Sequence, residues 1–178
     1  MSDYAVITAV DTVRIERVLP GPIERVWGYL TDSQQRRKWL AAGEMELRVG
    51  GKVELKFHHA DLSPQVEPIP ERYKSMEKGH TLVGRITRCD PPRLLSYTWG
   101  DPPGESEVSF ELTARGAEVL LVLTHRKLAD RKEMLSVAGG WHTHLDILVD
   151  NLDGRAVRPF WSTHTRIDAD YRKRFGVA

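Results

Sequence analysis

Seven histidines give this chain its widest choice of chemistry, because imidazole titrates near neutral pH and also binds metals. His142 and His144 stand two residues apart on a predicted helix, which places them about 200° apart around its axis and prevents them from chelating one ion. His58 and His59 point to opposite faces of a predicted strand. A metal site would need His59, His125 and His144 to converge from separate elements. The sequence therefore favours no metal site.

The His142–His144 pair lies within the one long helix that the sequence predicts, at residues 130–152. Asp130 and Glu133 have the form of a capping box, and Gly154 follows the last periodic residue as a candidate C-cap. The glycines at 139–140 cost about 1 kcal/mol each relative to alanine, which predicts a close backbone approach or a kink. Apolar residues recur at alternating steps of four and three and form one stripe: Met134, Ala138, Trp141, Leu145, Leu148 and Leu152.

Alternation of apolar and polar residues predicts seven strands, at 11–19, 44–49, 52–59, 79–89, 94–100, 106–114 and 117–125. Two short helices follow the first strand, at 23–32 and 33–40. The irregular, proline-containing segment 60–79 has the length of a disordered loop or of a functional lid, and its apolar residues favour a lid that packs back onto the body. Only residues 70–78 fit a short helix. This order of elements predicts an α+β fold with an antiparallel sheet curled around the final long helix.

Length and composition indicate one domain of 178 residues, with a core at about 11–153 and a tail at 154–178 that packs on the body or on a partner subunit. The formal net charge of +1 argues against nucleic acid as a partner. Cys89 is the single cysteine, which excludes an internal disulfide. The first residues have neither a basic start nor an apolar run long enough for a signal peptide or membrane span, so a cytoplasmic protein without a cofactor is expected.

Six segments together resemble a known superfamily: PGPIERVWGYLTD, RRKWL, DPPRLLSYTW, VSFELT, LTHRKL and GGWHTHLDIL. In this order they are similar to the START-like, birch-pollen-allergen-like (SRPBCC) superfamily, in its branch resembling the C-terminal domain of the activator of the heat-shock-protein ATPase. The resemblance runs from about residue 13 to the end of the long helix. It implies the helix-grip fold, in which an antiparallel sheet wraps around a long C-terminal helix and encloses an apolar cavity. The tail and the proline-rich segment resemble a bacterial subgroup.

Within such a cavity, His144 lies at the edge of the Trp141 stripe, and His125 shares a strand face with apolar residues. Each is interpreted first as a core histidine satisfied by a carbonyl or carboxylate, and second as a ligand-binding or acid-base group. Aromatic residues of the lining would also stack a flat ligand. The candidate ligand-binding residues are Trp141, His144, His125, Trp99, Phe57, His59 and Arg17.

Arg17 differs from the others because it carries a charge on an apolar strand face. It either pairs with an acid such as Glu107 or offers a bidentate site to a carboxylate or phosphate of a ligand. Structural pairing is the favoured interpretation.

The leading functional hypothesis is binding of a small hydrophobic or aromatic molecule between the sheet and the long helix. Two alternatives stay open: a co-chaperone-like regulator of a heat-shock ATPase, as the resemblance implies, and a cyclase- or dehydratase-like enzyme that uses a cavity histidine. The aromatic residues Phe160 and Trp161 suggest a contact for a homodimer.

The position of Trp141 in the apolar stripe yields a test of its burial. If the side chain is fully buried, Trp141→Ala lowers the free energy of unfolding by about 3–5 kcal/mol, because the truncation leaves a cavity. Urea titration followed by circular dichroism measures this loss. A much smaller loss would mean that Trp141 borders an open cavity.

Overall fold

A computed structural model describes residues 2–178 of the chain. Its strands are β1 (Val6–Ala9), β2 (Thr12–Pro20), β3 (Lys52–Phe57), β4 (His80–Asp90), β5 (Leu94–Trp99), β6 (Ser106–Arg115) and β7 (Glu118–Arg126). Its helices are α1 (Ile23–Thr31), α2 (Ser33–Arg36), α3 (Arg131–Leu152) and α4 (Phe160–Phe175), and a 3₁₀ helix spans Glu71–Met76. In residues 2–178, no helix combines the length and the apolar character needed to cross a membrane.

The seven strands form one antiparallel sheet in the order β1-β2-β7-β6-β5-β4-β3. Strands β4 to β7 follow one another as a meander, as the sequence predicted, and β2 joins the free edge of β7. Alternate positions of β2 and β3 are buried, and α3 lies against the inner face of the sheet. The helix-grip α+β fold predicted from the sequence is therefore confirmed.

Helix α3 has the ends and the buried stripe that its sequence predicts. The side chain of Asp130 accepts a hydrogen bond from the backbone N–H of Glu133 at 2.8 Å, and Gly154 follows the helix with a φ of +68°. All six residues of the apolar stripe are buried. The helix runs without interruption through Gly139 and Gly140, and a Cβ atom added at either position would not clash. Close backbone approach therefore does not explain the two glycines.

Helix α4 packs along α3 through Ile167 and Tyr171, which are fully buried. The hydroxyl of Tyr171 lies 2.9 Å from Nδ1 of His142 and accepts a hydrogen bond from the backbone N–H of Ala5 at 2.6 Å. Phe160 and Trp161, at the start of α4, are also covered by this chain's own residues. The argument for a dimer contact at these two aromatic residues therefore loses its basis.

Two parts of the sheet differ from the sequence prediction. Residues 44–49 do not form a regular strand. They meet β3 through the isolated bridge of Met45 with Val53, and the preceding Ala42 forms a second bridge with Lys56. Gly43 lies between the two bridges with a φ of +127°, and a Cβ added there would lie 2.0 Å from the carbonyl oxygen of Glu54, so this position requires glycine. The short edge strand β1 was not predicted. Its four residues are mostly exposed, and its pairing with β2 shifts register, so it carries little apolar alternation.

A buried arginine fixes the turn between α2 and the sheet. Arg36 is 0% exposed, and its guanidinium donates to the backbone carbonyls of Thr31, Ala41 and Gly43. Burial lowers the pKa of this group. The turn includes Trp39, whose indole N–H donates to the carbonyl of Tyr29 at 2.7 Å. Arg36 therefore fixes the turn that contributes the side chain of Leu40 and the backbone carbonyl of Trp39 to the candidate site.

Loss of the Arg36 side chain should destabilise the protein strongly. Arg36→Met leaves several buried carbonyls without donors and should lower the free energy of unfolding by at least about 3 kcal/mol. Denaturant titration measures the effect. Arg37→Met is the matched control, because Arg37 is half-exposed and makes one long ion pair with Asp61, and its loss should change stability by less than about 0.5 kcal/mol. Equal effects of the two substitutions would contradict the role given to Arg36.

Candidate ligand-binding cavity

A cavity of about 230 Å³ lies between α3, one end of the sheet and the start of α4. The helix α3 contributes one wall through residues spaced at a helical repeat: Ser136, Val137, Gly140, Trp141 and His144. Gly140 has no side chain there, and a Cβ added to it would meet nothing within 4 Å. The missing side chain of Gly140 therefore contributes to the open space beside Trp141.

Aromatic residues of the sheet form the opposite wall. Phe57 comes from the end of β3 and Trp99 from the end of β5. The rings of Trp99 and Trp141 lie 5.0 Å apart between centroids, and Phe57 packs edge-on against Trp99 at 5.9 Å. Leu40 completes this side with an aliphatic surface. The wall is apolar and presents both faces and edges of aromatic rings.

A chain of hydrogen bonds behind this wall orients Trp141. Its indole N–H donates to Nδ1 of His125 at 3.0 Å, so this nitrogen is unprotonated and Nε2 carries the proton. His125 Nε2 lies 2.7 Å from the hydroxyl of Ser106, which donates to the carbonyl of Trp99 at 3.2 Å. Burial lowers the pKa of His125 to about 3, which keeps the ring neutral. The chain therefore connects the two tryptophans of the cavity wall.

His144 reaches the cavity from α3 with a defined orientation. Its Nδ1 lies 2.7 Å from the carbonyl oxygen of Trp39, in the turn that Arg36 holds. Burial lowers the pKa of His144 to about 4, against the opposing effect of this hydrogen bond, and nearby His164 lowers it further. The ring is therefore neutral at pH 7 and donates from Nδ1.

Two further histidines meet His144 around the ring of Phe160. The ring centroids of His59, His144 and His164 lie 4.8, 5.0 and 6.0 Å from that of Phe160. Burial lowers the pKa of His59 to about 3 and that of His164 to about 4, and His144 lowers the pKa of His59 further. Among residues 2–178, no group of three or more His, Cys, Asp or Glu side chains is arranged to hold a metal ion. The cluster is therefore a set of neutral imidazoles.

The lid segment, residues 60–79, lies beside α4 at one side of the cavity. Tyr73 stacks on Trp161 with ring centroids 5.1 Å apart, and Met76 also lines the space. The carboxylate of Glu67 accepts a hydrogen bond from the backbone N–H of Trp161 at 2.9 Å, at the positive end of the α4 dipole. Arg72 pairs with Asp168 of α4 at 3.1 Å. Two polar contacts and one aromatic stack therefore fasten the lid segment to α4.

Five of the seven candidate residues from the sequence surround the cavity: Trp141, His144, Trp99, Phe57 and His59. His125 lies behind Trp141, with both ring nitrogens occupied. Sequence reasoning missed other lining residues, including His80, His164, Tyr73, Phe160 and Trp161. Phe160 and Trp161, at the start of α4, are two adjacent aromatic residues that could have indicated a place in the cavity lining, but the sequence analysis interprets them as a dimer contact.

Arg17 lies on the other side of α3 and does not line the cavity. Its guanidinium pairs with Asp146 of α3 at 3.1 Å and donates to the carbonyl of Asp3, so its acidic partner is not Glu107. Glu107 pairs with Arg126 instead. The buried ring of His142 also lies beside Asp146, with Nε2 3.5 Å from the carboxylate. Helix α3 therefore separates a charged cluster from the uncharged cavity.

The fold and the cavity define the protein as a helix-grip protein of the START-like, SRPBCC superfamily. More narrowly, the chain belongs to the family of activator of Hsp90 ATPase homolog 1-like proteins, whose family model matches residues 20–153. The resemblance inferred from the sequence is thereby confirmed. No curated protein matches the chain.

Solved structures support the same assignment. The solution structure of a protein from Bordetella parapertussis is 44% identical, with a TM-score of 0.82 over 97% of this chain and 91% of that one. The crystal structure of CalU16 from Micromonospora echinospora is 22% identical, with a TM-score of 0.68 over 92% of this chain and 88% of that one. DynU16, a putative protein in the dynemicin biosynthetic locus, is 18% identical, with a TM-score of 0.64 over 85% and 51% of the two chains. The last two similarities show the fold alone.

The buried neutral histidines predict a loss of stability in acid. The folded-state pKa is about 3 for His59, His125 and His142 and about 4 for His144 and His164, whereas unfolded histidine titrates near about 6.5. Between these values the unfolded chain binds more protons, so stability is complete above about pH 6.5 and falls as the pH is lowered toward about 4. Each histidine contributes up to about 1.4 kcal/mol per pH unit.

Urea titrations at a series of pH values measure this slope. His59→Phe is the informative variant, because the new ring can pack against Phe57 and Phe160 while it removes one titrating group. In this variant the free energy of unfolding should fall less steeply with decreasing pH, by the contribution of one histidine. Stability that stays constant from about pH 7 to about pH 5 would contradict the prediction.

Proposed function

We propose that the protein binds one small, uncharged, mainly aromatic molecule in the cavity between the sheet and α3. The observation that carries the proposal is the composition of the lining. Tryptophan, phenylalanine, tyrosine and aliphatic side chains supply the walls, and neutral histidines supply most of the polar groups. No Lys, Arg, Asp or Glu within residues 2–178 lines the cavity. A charged ligand would therefore lose its hydration without gaining a partner of opposite charge.

The volume limits the size of the ligand. Apolar cavities of about 150 Å³ hold benzene, whereas pockets for drug-sized molecules measure roughly 300–1,000 Å³. A cavity of about 230 Å³ lies between these sizes. It fits a ligand with one substituted ring or two fused rings.

The position of three tryptophans makes binding measurable. Trp99, Trp141 and Trp161 all line the cavity, so a bound aromatic molecule would contact three fluorophores. We expect saturable quenching of tryptophan fluorescence by small neutral aromatic compounds, excited at the red edge where these compounds do not absorb. Linear, non-saturating quenching by every compound of this kind would count against the proposal.

A second candidate function is regulation of an Hsp90-type ATPase, which the description of the family supports. The two functions separate cleanly in experiment. Regulation requires a change in the ATPase rate of a purified Hsp90 when this protein is added. Ligand binding requires only this protein and the small molecule.

Gly140 provides a direct test of the cavity. Gly140→Leu places an aliphatic side chain in the open space and should abolish ligand binding. The same change should keep or raise stability, because leucine favours a helix over glycine by somewhat less than about 1 kcal/mol. Fluorescence titration measures the binding and thermal unfolding measures the stability.

Gly28→Leu is the matched control. Gly28 also lies in a helix, α1, and a Cβ added there meets nothing within 4 Å, but it does not line the cavity. Binding should survive in this variant. If Gly140→Leu binds the ligand as well as the parent protein does, the ligand lies elsewhere and the proposal fails.

A further inference from the structure

The hydrogen bond of His144 determines what its second nitrogen offers to a ligand. A carbonyl oxygen can only accept, so the contact with Trp39 at 2.7 Å requires the proton to be on Nδ1. A neutral imidazole carries one proton, and Nε2 is therefore an acceptor. Within residues 2–178, no side chain or backbone group donates to this nitrogen. His144 thus presents a fixed acceptor at the cavity wall.

His59 and His164 provide donors close to that acceptor. Each neutral imidazole has one N–H and one unprotonated nitrogen. Both side chains are more than nine-tenths buried and line the cavity, and in both Nδ1 lacks a hydrogen-bond partner. The ring of His59 lies 5.8 Å from that of His144 between centroids. At this end of the cavity a ligand therefore lies beside one fixed acceptor and two imidazoles that each carry one N–H.

The polar group of a ligand that fits these imidazoles must both donate and accept hydrogen bonds and must carry no charge. A hydroxyl group donates one hydrogen bond and accepts others, so it satisfies both kinds of nitrogen. An ether only accepts and would leave Nε2 of His144 unpaired. A carboxylate also only accepts, and it adds a charge that no lining residue neutralises at pH 7. An ammonium group donates but brings an uncompensated positive charge.

We infer that the ligand class is a phenol, in which a hydroxyl on an aromatic ring donates to Nε2 of His144 and accepts from an imidazole N–H of His59 or His164. The ring lies against Phe57, Trp99 and Trp141. This inference rests on the proposed function and deepens it by naming the polar group of the ligand.

Calorimetric titration with three para-substituted toluenes tests the assignment. p-Cresol carries the hydroxyl, p-xylene replaces it with a methyl group, and p-toluate replaces it with a carboxylate. We expect p-cresol to bind roughly tenfold or more tightly than p-xylene, because an unpaired buried acceptor is costly. No binding of p-toluate is expected.

His144→Asn isolates the acceptor. The asparagine amide reaches the position of Nδ1 and can still donate to the carbonyl of Trp39, but nothing replaces Nε2. The affinity for p-cresol should fall about tenfold, while that for p-xylene should change by less than about twofold. His58→Asn is the control, because His58 is half-exposed next to His59 and does not line the cavity. Both affinities should stay unchanged in it.

The outcomes separate this inference from the function on which it rests. Equal binding of p-cresol and p-xylene by the parent protein, or an equal loss of both in His144→Asn, overturns the phenol assignment and leaves aromatic binding intact. Absence of binding by all three probes overturns both. If His144→Asn does not fold, the comparison of p-cresol with p-xylene in the parent protein still decides the question.

Discussion

The indole N–H of Trp141 must find an acceptor inside the core, and the rest of the cavity depends on how it does so. Trp141 projects from the middle of α3 into the sheet, where its ring packs edge-on against Phe110 at 5.6 Å. A buried N–H without a partner would cost about 1–3 kcal/mol. His125 supplies the acceptor from β7, and its own N–H is satisfied by Ser106 of β6. These hydrogen bonds therefore fix the position of α3 along the sheet and its rotation about its own axis.

Once Trp141 is fixed, the neighbouring positions of α3 determine where space remains. Gly140 precedes it on the cavity side and adds no side chain, while His144 follows one turn later and is held by the carbonyl of Trp39. The glycine lowers the helix propensity of α3, and no steric requirement of the backbone explains it. A cavity that accepts a ligand would account for this cost. The position of the glycine thus agrees with a binding role for the same surface.

The sequence predicted the elements whose signals are local and missed the features that depend on distant partners. The stripe of α3 and the alternation of β4 to β7 repeat within each element, so their buried faces could be read directly. Residues 44–49 alternate in the same way, but a strand also needs continuous pairing with a neighbour, and this segment meets β3 only at an isolated bridge. The acid that pairs with Arg17 is Asp146, more than a hundred residues away, and no pattern distinguished it from Glu107.

The residues of the candidate site also fall into those that a local pattern predicts and those that only distant contacts bring together. Trp141 and His144 share a helix face, and their proximity follows from the helical repeat. His59 and His164 join them from separate elements, through a turn and a tail helix that no short-range pattern connects. The apolar character of Phe160 and Trp161 was visible in the sequence, but an intrachain contact and a dimer contact need the same residues. Only the folded structure shows that Phe160 and Trp161 are buried against other residues of the same chain.

Helix α3 gives its two sides opposite electrostatic character, and this explains why histidine suits the cavity. On one side Arg17 and Arg158 both pair with the carboxylate of Asp146, so this side carries charges that compensate one another. The other side faces imidazoles that burial keeps uncharged, each with one donor and one acceptor. Neutral imidazole can therefore be buried at a lower cost than an ion and still recognise a polar group. Protonation in acid would place several like charges around Phe160. The same three histidines thus supply the polar groups of the cavity at neutral pH and lower the stability of the protein at acidic pH.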